Sequence, residues 1–174
     1  MELISGPISF SLQTSEVLCI QGTNGSGKTS LIKTILGLHK KYTGQFQLKP
    51  SLNEISYLPQ LSGLSFLLPL KLKDIMNFEN TQSMLFTLNT ENYWNSASGG
   101  ERQKALLNQC LQKKAHLYIL DEPFNHLDQS SKTTLISFIK SKIASNSSFI
   151  IVSHEEISTE LECKYLNLDE LNND

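Results

Sequence analysis

The sequence lacks a long apolar run, an excess of positive charge and a cysteine framework. No apolar stretch approaches the roughly 20 residues that span a bilayer, and the N-terminus lacks the basic and then apolar pattern of a secretory signal. The 15 basic residues are balanced by 17 acidic ones, so composition does not indicate nucleic acid as the main ligand. Three widely spaced cysteines, Cys19, Cys110 and Cys163, favour neither disulfides nor a zinc site. We therefore expect a soluble protein of the reducing cytosol.

The length and the order of apolar segments predict one layered α/β domain over residues 1–174. Strands are predicted at 8–12, 17–21, 45–48, 55–58, 117–120 and 149–152, with a last short strand from Tyr165. Helices are predicted at 30–38, 100–112 and 133–143. The runs at 117–120 and 149–152 are apolar without alternation, which is typical of parallel strands buried on both faces. We expect a largely parallel central sheet, a short N-terminal antiparallel β arm and a reduced, mostly helical insertion at 61–97.

Glycine is concentrated in one loop between a predicted strand and a predicted helix. The loop comprises Gly22, Thr23, Asn24, Gly25, Ser26, Gly27, Lys28 and Thr29, followed by Ser30. Its glycines allow backbone N–H groups to approach an oxyanion, and the N-terminus of the next helix adds its dipole. Lys28 would contact the β- and γ-phosphates, and Thr29 would offer its hydroxyl to Mg²⁺. The alternative is a glycine turn with a chance Lys-Thr pair.

Two carboxylates follow the predicted buried strand at 117–120. Asp121 and Glu122 lie where ligands bind in open α/β sheets, outside the carboxyl ends of the strands. Asp121 would hold Mg²⁺ through water, and Glu122 would polarise the water that attacks the γ-phosphate. The alternative is an acidic pair at a helix N-terminus, before Pro123.

Four further features are weak singly and informative together. Ser98-Gly99-Gly100-Glu101 is a glycine-rich turn that opens a helix, which predicts a second anion site or only a flexible N-cap. Gln60 follows a predicted strand, Asp128 lies six residues beyond Glu122, and His154 follows the strand at 149–152. Gln60 and His154 could also be an ordinary loop residue and a strand-end histidine. The remaining histidines, His39, His116 and His126, are interpreted as surface or packing residues.

With these motifs in this order, the chain resembles the nucleotide-binding domain of ABC transporters over nearly its whole length. The resemblance implies a P-loop NTPase fold and an ATPase that works as a head-to-tail pair. Each ATP would be held between the phosphate loop of one cassette and the Ser98-Gly99-Gly100 turn of the other. Gln60 would then contact Mg²⁺ and the lytic water, Asp128 would bind nucleotide, and His154 would contact the γ-phosphate. The partners implied are a second cassette and an integral membrane permease at the cytoplasmic face, with no nucleic acid.

The sequence departs from that family's pattern in three places. An aromatic residue that stacks on adenine is usual a little over 20 residues before the loop, and counting back from Gly22 runs past Met1. We expect the base to rest on Phe10, on the partner or on no side chain at all, with weak discrimination between ATP and GTP. Ala97 stands where leucine is usual, and the interval from Gln60 to Ser98 is short.

The short interval carries more large apolar residues than a small insertion buries easily: Phe66, Leu67, Leu68, Phe78, Phe86, Tyr93 and Trp94. We expect part of it to form a groove for a permease helix, or else a compact subdomain core. Two rival functions stay open: a soluble ABC ATPase acting on nucleic acid or ribosomes, and a degenerate regulatory nucleotide-binding subunit.

Overall fold

The fold is built around a sheet of five strands that all run parallel. The computed structural model describes residues 8–64, 66–76, 84–154 and 161–171. The strands are β1 (Val17–Gln21), β2 (Ile55–Leu58), β3 (Leu117–Asp121), β4 (Ser148–Val152) and β5 (Lys164–Asn167). Their spatial order is β2-β3-β4-β1-β5. Every residue of β3 and β4 is buried, which explains why both lack polar alternation.

Helices cover both faces of this sheet. They are α1 (Lys28–Ile35), α2 (Leu72–Met76), α3 (Gly99–Gln112), α4 (Gln129–Ala144) and α5 (Leu168–Leu171). Successive residues of β1 point to opposite faces. Cys19 belongs to an apolar cluster with Leu107 of α3 and Leu135 of α4, whereas Ile20 belongs to a second cluster with Ile32 of α1. The architecture is the predicted α/β type with a parallel sheet, and no described helix is long and apolar enough to cross a membrane.

The predicted N-terminal β arm is wrong for the residues that are described. Residues 8–12 form no strand, and neither do residues 45–48. Alternating polarity supplies side chains for one face, but a strand also needs a backbone partner. Both edges of β1 are already paired, with β4 and with β5, so the segment that precedes it can add no strand beside β1. Residues 45–47 are exposed, and the ring of Phe46 lies 5.6 Å from the ring of Tyr42.

The predicted insertion is less helical than expected over its described residues. It contains a 3₁₀ turn at Leu61–Gly63 and the five-residue helix α2, and most of its remaining described residues are irregular. The buried amide of Asn108 explains part of the difference, because its Oδ1 accepts from Phe86 N–H at 2.9 Å and its Nδ2 donates to Phe86 C=O at 2.8 Å. Both backbone groups of Phe86 are thus satisfied without a helix. Phe78 lies outside the described residues.

The predicted helices are present with shifted bounds. α4 begins at Gln129, four residues before the predicted start, because the Asp128 side chain accepts a hydrogen bond from Ser131 N–H and caps the helix. α1 begins at Lys28 and ends at Ile35, shortly before Gly37, whose φ of +72° breaks the helix.

Candidate functional site

The candidate site is a cleft at the carboxyl ends of the parallel strands. Its volume is about 390 Å³, and its lining residues are Asn24, Gly25, Gly27, Lys28, Thr29, Ser30, Gln60, Asp121, Glu122 and His154. All of them are sequence-predicted site residues. The strands β2, β3, β4 and β1 are neighbours in parallel, so the segments that follow them converge on one edge of the sheet. A second cavity of about 250 Å³, between Leu85 and Phe138, contains none of these residues.

The glycine loop folds back on itself between β1 and α1. Gly22 has a φ of +149°, and a Cβ atom there would lie 2.5 Å from Ser26 Oγ. Gly27, with a φ of +99°, is the N-cap of α1, a left-handed conformation that side chains disfavour. The loop therefore leads directly into the N-terminus of α1, where free N–H groups and the helix dipole attract anions.

Lys28 is held against the loop by its ammonium group. Nζ donates to Gly22 C=O at 2.6 Å and to Thr23 C=O at 2.8 Å, and the side chain is buried. Its stem is therefore immobilised with the positive charge at the loop. A phosphate in the cleft would meet a preorganised cation.

Thr29 and Asp121 place two side-chain oxygens next to each other. Thr29 Oγ1 donates to Asp121 Oδ2 at 3.3 Å across the gap between α1 and β3. Asp121 is buried, and burial raises the pKa of its carboxyl, against lowering by the Thr29 hydrogen bond and the Lys28 charge. A hydroxyl and a buried carboxylate side by side fit Mg²⁺, which prefers hard oxygen ligands.

Glu122 is a buried carboxylate in a constrained backbone. Its φ is +54°, which is uncommon for a residue with a side chain, and its N–H donates to Val152 C=O at 3.0 Å. His154 Nε2 lies 3.0 Å from Glu122 Oε1, although that oxygen accepts no well-directed hydrogen bond from the described residues. Burial raises the pKa of the Glu122 carboxyl; the nearby His154 lowers it and Asp121 raises it further. The site thus favours a carboxylate that readily takes a proton.

Gln103 of α3 supports Glu122, and sequence reasoning missed it. Its side chain is buried, and Nε2 donates to the carbonyls of Glu122 at 3.3 Å and Pro123 at 3.1 Å. These bonds hold the backbone in its positive-φ turn. A glutamine at the fifth residue of a helix carries no sequence signal for such a role.

The Ser98-Gly99-Gly100 turn and Asp128 lie outside the cleft. Ser98 caps α3, since its Oγ accepts from Glu101 N–H at 3.2 Å and its own N–H donates to the Glu101 carboxylate at 2.9 Å. Asp128 caps α4 and pairs with Lys104 at 3.0 Å. The hydrogen bonds from Ser131 and Ser130 hold the Asp128 pKa well below its usual range. One chain therefore brings together only part of the predicted set.

His126 is exposed and lies against the glycine turn. A Cβ at Gly99 would lie 3.1 Å from His126 Nδ1, and one at Gly100 would lie 2.9 Å from His126 O. His116 is mainly exposed, 3.5 Å from Glu54. The interpretation of these two histidines as packing and surface residues agrees with their positions.

Comparisons with known proteins point in one direction. A family model described as ABC transporter matches residues 6–125. The zinc import ATP-binding protein ZnuC of Ehrlichia chaffeensis is 32% identical over 167 residues, which cover 88% of this chain and 69% of that protein. ZnuC of Buchnera aphidicola is 35% identical over 161 residues, covering 85% and 66%. The chain spans between 52% and 69% of the length of such relatives.

The fold is also found among solved structures. The structure of an ATP-binding subunit of an ABC transporter superposes with a TM-score of 0.74 at 20% identity, covering 91% of this chain and 76% of that one. At this identity the likeness bears on the fold alone. It agrees with the P-loop NTPase architecture that the motifs predict.

Proposed function

Because the chain belongs to the ABC transporter family, we propose that it is an ATP-hydrolysing cassette that acts with a second cassette and a separate membrane permease. The observation that carries the proposal is the convergence of Lys28, Asp121, Glu122 and His154 on one cleft. Lys28 is a preorganised cation, and the Glu122 carboxyl group contacts the His154 imidazole. This is the chemistry that phosphoryl transfer to water requires.

Each residue has a role that its surroundings support. The α1 N-terminus and Lys28 would bind the phosphate tail. Thr29 with Asp121 would hold magnesium, together with Gln60, which lines the same cleft. Magnesium, when bound, neutralises charge on the phosphates. Glu122 would take a proton from the attacking water while the water oxygen bonds to the γ-phosphorus. The bond from the γ-phosphorus to the bridging oxygen would break, and ADP would leave. His154 would orient the γ-phosphate.

A second cassette is part of the proposal because some residues predicted to bind nucleotide lie outside the cleft. Ser98, Gly99, Gly100 and Asp128 present an exposed turn and a helix cap away from the phosphate loop, and a facing cassette would bring its own copies of them to this cleft. ATP would then close the pair, and hydrolysis would let it reopen.

An exposed apolar ridge, defined here as Leu67 and Leu68, is the surface we assign to the permease. Leu67 is fully exposed and Leu68 is 68% exposed, while the neighbouring Phe66 packs edge-on against buried Trp94 at 5.3 Å. Leu67→Glu with Leu68→Glu is expected to abolish co-purification with the permease and to leave ATP binding intact. Leu52→Glu, at an exposed leucine on another segment, is the control. Equal co-purification of both variants would contradict the assignment.

The names of the relatives indicate zinc import, and we propose that this chain acts at the cytoplasmic face of the membrane. Because they are zinc import ATP-binding proteins, we propose zinc as the cargo. Zinc accumulation should fall in cells that express a Lys28→Ala variant. An unchanged zinc level with altered uptake of another solute would contradict the cargo.

Direct measurement of ATP binding and turnover tests the activity itself. Purified protein with its permease should hydrolyse ATP in the presence of magnesium, and Lys28→Ala should abolish ATP binding. Lys40→Ala, at an exposed lysine beyond α1, should leave both intact. A parental protein that neither retains nor cleaves ATP would refute the proposal.

A further inference from the structure

The last strand of the sheet brings a carboxylate to the phosphate loop. β5 pairs with β1 in parallel, and the register sets Gln21 opposite Asn167. Asp169 follows two residues later, in the first turn of α5, and lies within hydrogen-bond distance of Thr23. Leu168, fully buried in the cluster that contains Ile32, anchors the chain at this point. Asp169 is therefore placed by strand pairing and by a buried neighbour.

Asp169 binds the first turn of the loop through three hydrogen bonds. Thr23 N–H is shared between Oδ2 at 2.8 Å and Oδ1 at 3.0 Å, and Thr23 Oγ1 donates to Oδ1 at 2.9 Å. The Asp169 N–H donates to Asn167 Oδ1 at 3.1 Å, which fixes the backbone that carries the carboxylate. Hydrogen bonds to an ionised group are among the stronger ones in proteins.

Asp169 and Lys28 hold the same peptide group from its two ends. The N–H of Thr23 and the C=O of Gly22 belong to one planar peptide unit. The carboxylate accepts from the N–H, and the Lys28 ammonium donates to the C=O at 2.6 Å. A cation, a peptide dipole and an anion thus form a hydrogen-bonded chain in which each bond polarises the next.

We propose that Asp169 is a positioning residue for Lys28. Its carboxylate fixes the Gly22–Thr23 peptide on which the ammonium rests, so that the C-terminal strand is part of the phosphate-binding apparatus. This inference rests on the proposed ATP-binding function. Removing the carboxylate frees that peptide to rotate, and Lys28 then meets the phosphates in a less ordered geometry.

The test compares Asp169→Ala and Asp169→Asn with the parental chain. Equilibrium binding of magnesium ATP and of inorganic tripolyphosphate should weaken about tenfold in Asp169→Ala, and less in Asp169→Asn, which keeps an acceptor but no charge. Lys28 contacts phosphate before and during reaction, so KM should rise while kcat at saturating ATP stays within about twofold. Glu162→Ala, at an exposed carboxylate just before β5, is the matched control and should bind as the parent does.

A double variant separates positioning from general stability. Thr23→Val keeps the backbone N–H but loses the hydroxyl, so its effect should vanish in an Asp169→Ala background. Thermal midpoints without nucleotide identify any variant that fails to fold, in which case Asp169→Asn decides. Parental binding or tighter binding in both Asp169 variants would overturn the inference while leaving the proposed function standing. A parental chain that binds no ATP would instead refute the function.

Discussion

At the residue scale, Glu122 combines a buried carboxylate with an uncommon backbone conformation. A non-glycine residue at positive φ and an ion removed from water both cost free energy. The Val152 carbonyl accepts from the Glu122 N–H, and the Gln103 amide donates to the Glu122 C=O. These bonds hold the Glu122 backbone in its positive-φ conformation. Strain maintained in this way is found at sites where a reacting group must stand in one place.

Glu122→Gln should separate ATP binding from ATP hydrolysis. The amide keeps the size of the side chain but cannot take a proton from water, so turnover should fall by about 10²–10⁴, as for a lost general base. Binding of magnesium ATP should persist, and ATP-loaded dimers should accumulate on size exclusion. Hydrolysis at the parental rate would show that another group is the base.

The raised pKa of Glu122 predicts acid sensitivity of turnover. Burial disfavours the ionised form that acts as base, so kcat/KM, which reports the pKa of the free enzyme, should begin to fall with decreasing pH while an ordinary glutamate, at 4.5, is still ionised. A pH–rate profile with permease present checks this. A profile flat down to about pH 5 would contradict it.

The same shift has a consequence for stability. Because the folded pKa lies above the unfolded one, its stabilising contribution is fully present below the unfolded pKa and lost as pH rises through the folded pKa. The difference in Tm between Glu122→Gln and the parent should therefore favour the variant more near neutral pH than at about pH 4.

At the element scale, the N-terminus of α3 depends on the absence of two side chains. His126 lies under it with a φ of +63°, its ring against Gly99 and its carbonyl oxygen against Gly100. A ring can turn aside, whereas a carbonyl oxygen moves only with the backbone. The two glycines therefore differ in what they tolerate.

Gly100→Ala and Gly99→Ala should differ in their effect on stability. Alanine favours a helix over glycine by about 1 kcal/mol, so a net loss reports the steric clash. Gly100→Ala should lower the free energy of unfolding by about 1–3 kcal/mol, as overpacking does. Gly99→Ala should lower the free energy of unfolding by less. Adding His126→Ala should restore stability in the Gly99→Ala variant but not in the Gly100→Ala variant. Denaturant titration measures all four variants, and equal losses at both glycines would contradict the account.

At the scale of the whole molecule, the predicted site residues fall into two groups that lie apart within a single chain. The phosphate loop, Asp121 and Glu122 share the cleft, whereas Ser98 and Asp128 cap helices outside it. The proposed head-to-tail pair would place the second group of each chain on the cleft of the other, and a twofold, isologous contact of this kind creates two equal sites.

Mixing two inactive variants tests this shared site. Ser98→Asp retains a good N-cap but places negative charge against the triphosphate, and Ser98→Asn is its neutral control. Neither Lys28→Ala nor Ser98→Asp should hydrolyse ATP alone. Their equimolar mixture forms hybrids with one intact site, so about a quarter of the parental rate should return. Failure to recover any activity, with hybrid dimers present, would show that each chain acts on its own.

The sequence by itself determined the features that depend on near neighbours in the chain. The strand, glycine loop and helix at 17–35 follow from local turn chemistry and periodicity, and the apolar run at 117–120 predicts a buried strand that ends at Asp121. The convergence of Gln60, Asp121 and His154 was also predictable, because parallel strands end at one edge of their sheet.

Only the tertiary structure decided which distant groups hold these features in place. Asp169 reaches Thr23 through the register of β5 on β1, Gln103 reaches Glu122 through the packing of α3, and Asn108 replaces a helix at Phe86. Residues 8–12 alternate like a strand but are not one, because β1 has already paired on both sides. Pairing and packing are settled by competition among segments far apart in the chain, and local spacing carries no record of that competition.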